Sequence, residues 1–313
     1  MSFTRDVKQE LASVDVEDCC LKAELYSFVL LRSTIKVIKE NPTISFSTNQ
    51  INVARRIIFL LRKLYDIKVD LTIKKKEKTS VRSFYWININ NQVSYFLEDL
   101  KIVNSKYKKI KPQYVIEKDC CKASILRGAF LARGSINNPN SNEYHLEIRV
   151  PSNDEGKFLK NILEEINITA KIITRAKRVV LYIKKGEQIA DFLKYVGANN
   201  SLFVFEDIRI KKDINNYVNR IMNCDVANEQ KAIASAAKQI ENIEYLDNNY
   251  GFSNLTPRLV DAIILRTNFP DDSLSQLSER SIETVNRYIS KSGLSHCFKD
   301  IERLVSKTKK NKL

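Results

Sequence analysis

The sequence predicts a mixed α/β protein of the α+β kind: an αββαββα unit present twice about a pseudo-twofold axis, followed by an all-helical domain. Three observations predict it. A tripeptide recurs with matched apolar register across the first two thirds of the chain. Within each copy the hydrophobic period switches between that of a helix and that of a strand. After Val218-Asn219-Arg220 the period becomes helical.

Asp18-Cys19-Cys20 returns as Asp119-Cys120-Cys121, an offset of 101 residues. The same offset, without gaps, matches Leu25 to Leu126, Leu30 to Leu131, Arg32 to Arg133 and Ile35 to Ile136. It also places Ile57, Ile58 and Leu61 on Phe158, Leu159 and Ile162, and Ile67 and Leu71 on Ile168 and Ile172. In each copy Asp18 or Asp119 is the expected cap of a helix at 19–32 or 120–133, apolar on most sides and therefore buried. Strands are expected at 34–38 and 43–48, then 135–137 and 143–150, with helices at 50–65 and 153–166. A second strand pair spans 68–75 with 81–89, and 169–175 with 178–184; helices at 92–100 and 187–196 close the copies.

In the helical region Ala232, Ile233, Ala236, Ala237, Ile240 and Ile243 form a stripe, giving a helix at 226–246. Asp247 to Gly251 breaks it, and a helix at 257–268 follows. Pro270-Asp271-Asp272 signals a turn into a short helix, Ser273 to Glu279, capped by Asp272 or Ser273. A last helix at 291–306 sets Leu294, Phe298, Ile301 and Val305 on one face. The expected domains are 1–222, with halves 1–105 and 106–222, and 223–313.

Composition bounds the function. At 43% hydrophobic residues the chain can bury cores of ordinary size, so only the lysine-rich tail is expected to be disordered. A net charge of +15 suits a polyanionic partner, because phosphate contacts release counterions; a biased genome gives the same composition. No apolar run reaches the ~18 residues of a membrane span, and Met1 to Asp6 do not open a signal peptide, so a cytoplasmic protein is expected. No glycine-rich phosphate loop is present, and no cofactor is expected.

The second buried helix ends in Leu126-Arg127-Gly128-Ala129-Phe130-Leu131-Ala132-Arg133-Gly134, which resembles a degenerate LAGLIDADG motif; the first, Leu25 to Ser33, is more divergent. Ser27 and Gly128 are small enough for two helices to approach, and Gly134 suits a helix C-terminus. The resemblance implies a homing-endonuclease-like fold in which the eighth motif position carries the metal-binding acid. Here those positions hold Arg32 and Arg133, and neither motif contains a carboxylate, so no metal and no catalysis are expected there.

The whole chain resembles the WhiA family of bacterial regulators, known first from sporulation and linked in other bacteria to cell division and chromosome segregation. The resemblance lies in Met1-Ser2-Phe3 with Val7 to Leu11, Asp119 to Ala132, Ser135 to Pro139 with Tyr144 to Ile148, Val218 to Asp225, and Ser290-Lys291-Ser292-Gly293. It implies an inactive endonuclease-like domain followed by a helix-turn-helix that binds double-stranded DNA, with other regulators or division proteins as further partners. The divergent first motif and the polar stretch Ser281 to Tyr288 depart from the family pattern, which bears on DNA-site preference more than on fold. Two other classes stay open: a metal-dependent DNA endonuclease, and a protein-interaction scaffold at the nucleoid.

Within that reading the last helix is the recognition helix. Lys291, Ser292, Ser295, His296, Lys299 and Arg303 are the expected DNA-binding residues, Ser292, Ser295 and His296 toward base edges and Lys299 and Arg303 toward phosphates; a solvated polar face is the bland alternative. Residues 247–313 carry a net charge of only +3, leaving +12 to the duplicated domain. Lys74, Lys75, Lys76, Lys78 and Arg82 flank one hairpin; Lys171, Arg175, Lys177, Arg178, Lys184 and Lys185 flank its counterpart. These strand pairs either contact DNA backbone or are solvated, lysine-protected edges. Cys19, Cys20, Cys120 and Cys121 could meet across the pseudo-twofold as a four-thiolate metal site, but adjacent cysteines point in different directions on a helix, so small buried core residues are the expected role. His145 is expected to be structural.

Overall fold

The computed structural model describes residues 2–38, 41–75, 83–112, 118–175 and 178–310. Two compact units divide after Lys212.

The first unit opens on a helix the apolar pattern did not announce, α1 (Phe3–Leu11), which buries Phe3, Val7, Lys8 and Leu11. The duplicated order then follows: α2 (Asp18–Arg32), β1 (Ser33–Ile38), β2 (Asn41–Thr48), α3 (Ile51–Tyr65), β3 (Asp70–Lys75), β4 (Ser83–Ile89) and α4 (Val93–Asp99). The second copy runs α5 (Asp119–Arg133), β5 (Gly134–Ile136), β6 (Leu146–Val150), α6 (Asn153–Glu165), β7 (Lys171–Arg175), β8 (Arg178–Ile183) and α7 (Gly186–Val196). Both sheets are antiparallel, ordered β1-β2-β4-β3 and β5-β6-β8-β7, as a pseudo-twofold requires.

Alternation fixes each strand's faces. In β2 Ile44 and Phe46 are buried while Thr43, Ser45 and Ser47 are half-exposed, and β8 buries Val179, Leu181 and Ile183 in the same way. Helix α2 buries every residue from Ala23 to Leu31, and α5 every residue from Ser124 to Ala132, so the pair is the centre of the core. Its helices are not capped as expected. Glu17 and Lys118 hold the cap positions without side-chain bonds, and Asp18 and Asp119 are the first helical residues, where a carboxylate still complements the helix dipole. Ser152 and Glu155 form a capping box at α6, and Gly197 takes the left-handed conformation (φ 90°) that ends α7.

Helix α8 (Asn199–Asn249) is far longer than the helix expected at 226–246. In its stretch after Asp213 only Ala236, Ile243 and Leu246 are buried, and Ile233 and Ala237 of the expected stripe are exposed. In the second unit a 3-10 turn (Phe252–Asn254) leads to α9 (Pro257–Asn268), α10 (Leu274–Val285) and α11 (Lys291–Lys310). Leu246, Ala262, Leu265, Leu277, Leu294, Cys297 and Ile301 form a core of their own. The buried Arg266 guanidinium donates to Gln239 and to the carbonyls of Phe269, Pro270 and Asp272, which pins the turn between α9 and α10. Ser273, not Asp272, caps α10, in a capping box with Gln276. That helix runs past Glu279 because two of its polar residues, Ser278 and Ser281, are buried and bonded.

Candidate functional site

The two central helices meet at Gly128. A Cβ there would lie 2.6 Å from the Glu24 carbonyl and 2.9 Å from the Ser27 Cβ, so only glycine permits this approach. Ser27 Oγ donates across the seam to the Ile125 carbonyl at 2.8 Å. Gly134 is needed for space rather than for helix termination: its φ is −76°, and a Cβ would sit 2.4 Å from the Phe130 ring. The fully buried Glu24 carboxylate accepts two bonds from Arg56, at 2.8 and 2.9 Å, and lies 3.7 Å from Arg127. Arg127 also donates to the Val196 carbonyl at 2.9 Å.

At the C-terminal ends of α2 and α5 the two motif arginines exchange partners. Arg32 donates to the carbonyl of Ala132 and to that of Ser47; Arg133 donates to the carbonyl of Leu31 at 2.7 Å. Each guanidinium thus caps the opposite helix, one residue before the other arginine. Two lysines repeat the exchange. Lys8 Nζ donates to Leu131 O at 3.1 Å, and Lys109 Nζ to Val29, Leu30 and Ser33 carbonyls at 2.7, 3.1 and 3.1 Å. The 101-residue offset relates Lys8 to Lys109 as it relates Arg32 to Arg133, although sequence reading assigned the lysines no role.

Arg32 and Arg133 therefore occupy the two positions where the motif resemblance puts acids, and Lys8 and Lys109 join them at the same helix ends. Unsatisfied terminal carbonyls and the negative helix ends stabilise them, but burial and mutual repulsion work against their charge. Burial, with Arg32 and Arg149 nearby, pushes the Lys8 ammonium down to about 7. Burial brings Lys109 down to about 8, opposed by Glu155 and helped by Arg133. Arg32 falls to about 10 through burial and Arg133, and Arg133 is lowered by burial and Arg149. A divalent cation would meet further repulsion here. Two nearby carboxylates are already engaged: Glu155 in the capping box with Ser152, and Glu147 by Ser135 at 3.1 Å and by Arg149 at 3.2 Å. Burial raises the Glu147 pKa, but its bonds outweigh that and hold the carboxyl below its usual range.

The face of each sheet turned away from the core carries the expected basic strands in part. Register sets Lys74 beside Phe84 and Thr72 beside Trp86 on the first sheet, with Lys74, Phe84 and Trp86 exposed. On the second, Lys171 pairs with Tyr182 and Arg178 with Arg175, and Lys171, Arg149 and Arg178 are exposed. Lys76, Lys78, Arg82 and Lys177 lie outside the described residues, as do the side chains of Lys75 and Arg175. His145 lies 3.5 Å from Glu147 and stacks on Tyr182.

In the second unit, Asn286 in the left-handed conformation (φ 51°) ends α10, and the turn into α11 is tightly held. Ser281 Oγ accepts from the Ile289 amide at 3.0 Å, and Ser278 Oγ donates to the Ile289 carbonyl at 2.7 Å. The polar stretch before α11 is thus partly internal. In α11 Leu294, Phe298, Ile301 and Val305 are buried; Lys291, Ser292, His296, Lys299 and Arg303 are exposed and Ser295 half-exposed. Arg303 lies 3.3 Å from Asp300 of the same helix.

The cysteines depart from expectation. Cys19, Cys20, Cys120 and Cys121 have all four sulfurs within 4.8 Å of one another. The sulfurs of adjacent Cys19 and Cys20 are 4.0 Å apart, and the first turns of α2 and α5 bring both pairs together.

Comparison with known proteins places these features. Family models for the WhiA N-terminal LAGLIDADG-like domain, the WhiA LAGLIDADG-like domain and the WhiA C-terminal HTH domain match residues 18–103, 122–215 and 218–305. A probable cell division protein WhiA from Oceanobacillus iheyensis is 37% identical over 99% of this chain and 98% of its own. One from Bacillus subtilis is 36% identical, covering 97% and 96%. The crystal structure of full-length DUF199/WhiA from Thermatoga maritima superposes with a TM-score of 0.59 at 25% identity, covering 98% of this chain and 99% of that one. A crystal structure of the N-terminal LAGLIDADG domain of DUF199/WhiA gives 0.50 at 26% identity, over 63% of this chain and 90% of that one. With both LAGLIDADG-like halves and the C-terminal HTH domain in order, the chain belongs to the WhiA family.

Proposed function

We propose that this protein is a non-catalytic, sequence-reading DNA-binding regulator of transcription, acting in cell division and chromosome segregation, and that α11 is its reading element. The observation that carries the reading is the division of α11. One side is locked into a small core behind a rigid turn, and the other offers Lys291, Ser292, His296 and Lys299 to solvent near its N-terminal turns. A helix so held can enter a major groove with donors toward base edges and cations toward phosphates. The relatives' shared description as probable cell division proteins supports the process, and the HTH match supports the ligand.

The cation quartet supports the absence of nuclease activity. A LAGLIDADG-type centre needs carboxylates to hold the metal that activates water, and guanidinium supplies neither ligand nor base. Incubation with plasmid and Mg²⁺ is expected to leave the plasmid intact; cleavage lost on replacing Glu147 would reverse this.

Binding selected from random double-stranded DNA tests the reading helix. Ser292→Ala, Ser295→Ala and His296→Ala are expected to change the preferred sequence. Lys299→Ala is expected to weaken binding to all sequences and to lower the salt slope by about one unit. Unchanged preference and slope in all four would remove α11 from the interface. A second reading, favoured by exposed Lys74, Lys171 and Arg178 on the open sheet faces, adds backbone contacts from the duplicated unit. Charge reversal at these three positions in the full chain would then lower the slope further.

A further inference from the structure

We propose that Cys19, Cys20, Cys120 and Cys121 form a tetrathiolate site for one Zn²⁺ ion, which joins the N-terminal ends of the two central helices. All four sulfurs lie within 4.8 Å of one another, and those of Cys19 and Cys20 are 4.0 Å apart. Four thiolates at the ~2.3 Å of a tetrahedral zinc–sulfur bond stand about 3.8 Å apart, so side-chain rotation of less than an ångström per sulfur closes the set. Four sulfurs and no oxygen or imidazole in the cluster select a thiophilic ion over magnesium or calcium.

Two helix N-termini suit that charge, and the Glu17 carboxylate, 3.8 Å from the Cys19 sulfur, opposes it. All four cysteines occupy the first turns of α2 and α5, where free amides and the positive ends of two helix dipoles favour thiolate. Loading balances as one Zn²⁺ displacing four protons from four thiols, leaving a complex of charge −2. Cys20 and Cys121 are buried and Cys19 is half-buried, whereas Cys120 is exposed and gives the ion a way in. The symmetry also matters: each half contributes one adjacent pair, so the ion crosslinks the two copies, and neither half alone holds a complete set. Cys224 and Cys297 lie in the second unit, outside the cluster.

The full chain, purified under reductant, is titrated with Co²⁺ as a spectroscopic stand-in. One Co²⁺ per chain is expected, with the strong visible and thiolate charge-transfer bands of a tetrahedral sulfur site, displaced stoichiometrically by Zn²⁺. In the same unmodified chain, zinc is expected to protect Cys120 and Cys19 from a thiol reagent while Cys224 stays reactive. Cys19→Ser/Cys120→Ser, which alters the less buried pair, is expected to weaken metal affinity at least 100-fold and to leave the helical circular dichroism unchanged; Cys224→Ser is expected to change nothing. A pale octahedral cobalt spectrum, no stoichiometric uptake, or no zinc protection of Cys120 would overturn the site. So would equal affinity in the double variant, or disulfide formation as the cluster's only reaction.

Discussion

The cations of the duplicated unit and those of α11 are chemically alike and physically opposite. Arg32, Arg133, Lys8 and Lys109 are directed inward, each donating to the carbonyls that end a helix of the other copy or its flanking strand. Arg56 and Arg127 likewise converge on Glu24. Lys291 and Lys299 stand in solvent. Positive charge is therefore not a uniform resource for binding DNA: six cations of the duplicated unit serve its interior, and two of them, Arg32 and Arg133, stand at the motif's acid positions. The comparison predicts a double dissociation. Changes to the inward set should alter stability and spare DNA affinity, and changes to the outward set should do the reverse.

The largest effect is expected at Glu24. Glu24→Gln keeps the volume but leaves Arg56 and Arg127, both nearly buried, without their carboxylate. Breaking one side of a buried ion network costs about 3–5 kcal/mol, because the remaining charges stay desolvated. The urea midpoint of the duplicated unit should fall accordingly, while the affinity of the remaining folded protein for DNA is unchanged. A loss of affinity at constant stability would break the comparison at its root.

A smaller effect concerns pH. The folded pKa values of Lys8 and Lys109, about 7 and about 8, lie below the ordinary 10.5. Between those values the unfolded chain binds more protons than the folded one, so stability climbs as pH rises from about 7 toward 10.5. Below the folded values both states are protonated and the cost of burying charge is fully present. Lys8→Met removes its part of that dependence. The variant's stability relative to the parent should therefore decline with rising pH, by up to about 1.4 kcal/mol per unit. A parallel pair of stability curves would show that Lys8 carries no buried charge.

How much of this could be read in advance differs by region. The duplication was legible because Asp18-Cys19-Cys20 and the buried stripes repeat at one spacing, and strand alternation fixed which faces of the sheets are covered. Helix α8 was not, because much of its length is exposed and no continuous apolar stripe marks it. Arg32 and Arg133 were legible as missing acids, but their exchange of carbonyl partners depends on two helix ends meeting. Lys8 lies in a segment that resembles the family, and the repeat's own offset relates it to Lys109, a signal present in the sequence. A meeting of the four cysteines across the pseudo-twofold was legible in the repeat; the divergence of adjacent side chains on one helix argued against it, yet all four sulfurs lie within 4.8 Å of one another. The face of α11 was legible from its period, since Leu294, Phe298, Ile301 and Val305 fall on one side and are buried.

The smallest effect sharpens the outward half of the comparison. Arg303 is exposed but lies 3.3 Å from Asp300 on its own helix, so it is partly spent, whereas Lys299 has no such partner in α11. An exposed pair three residues apart is worth only about 0.3–0.5 kcal/mol. Asp300→Asn frees the guanidinium and removes a carboxylate from the surface proposed to face phosphate. Affinity for DNA at low salt should rise about two-fold, in keeping with that energy, and the gain should fade as the Debye length shrinks to about 3 Å near 1 M salt. Thermal stability should move by no more than about 0.5 kcal/mol, as for other surface changes. If affinity instead stays level while Lys299→Ala lowers it, the DNA footprint on α11 ends before Asp300, and the reading surface is confined to the helix's first turns.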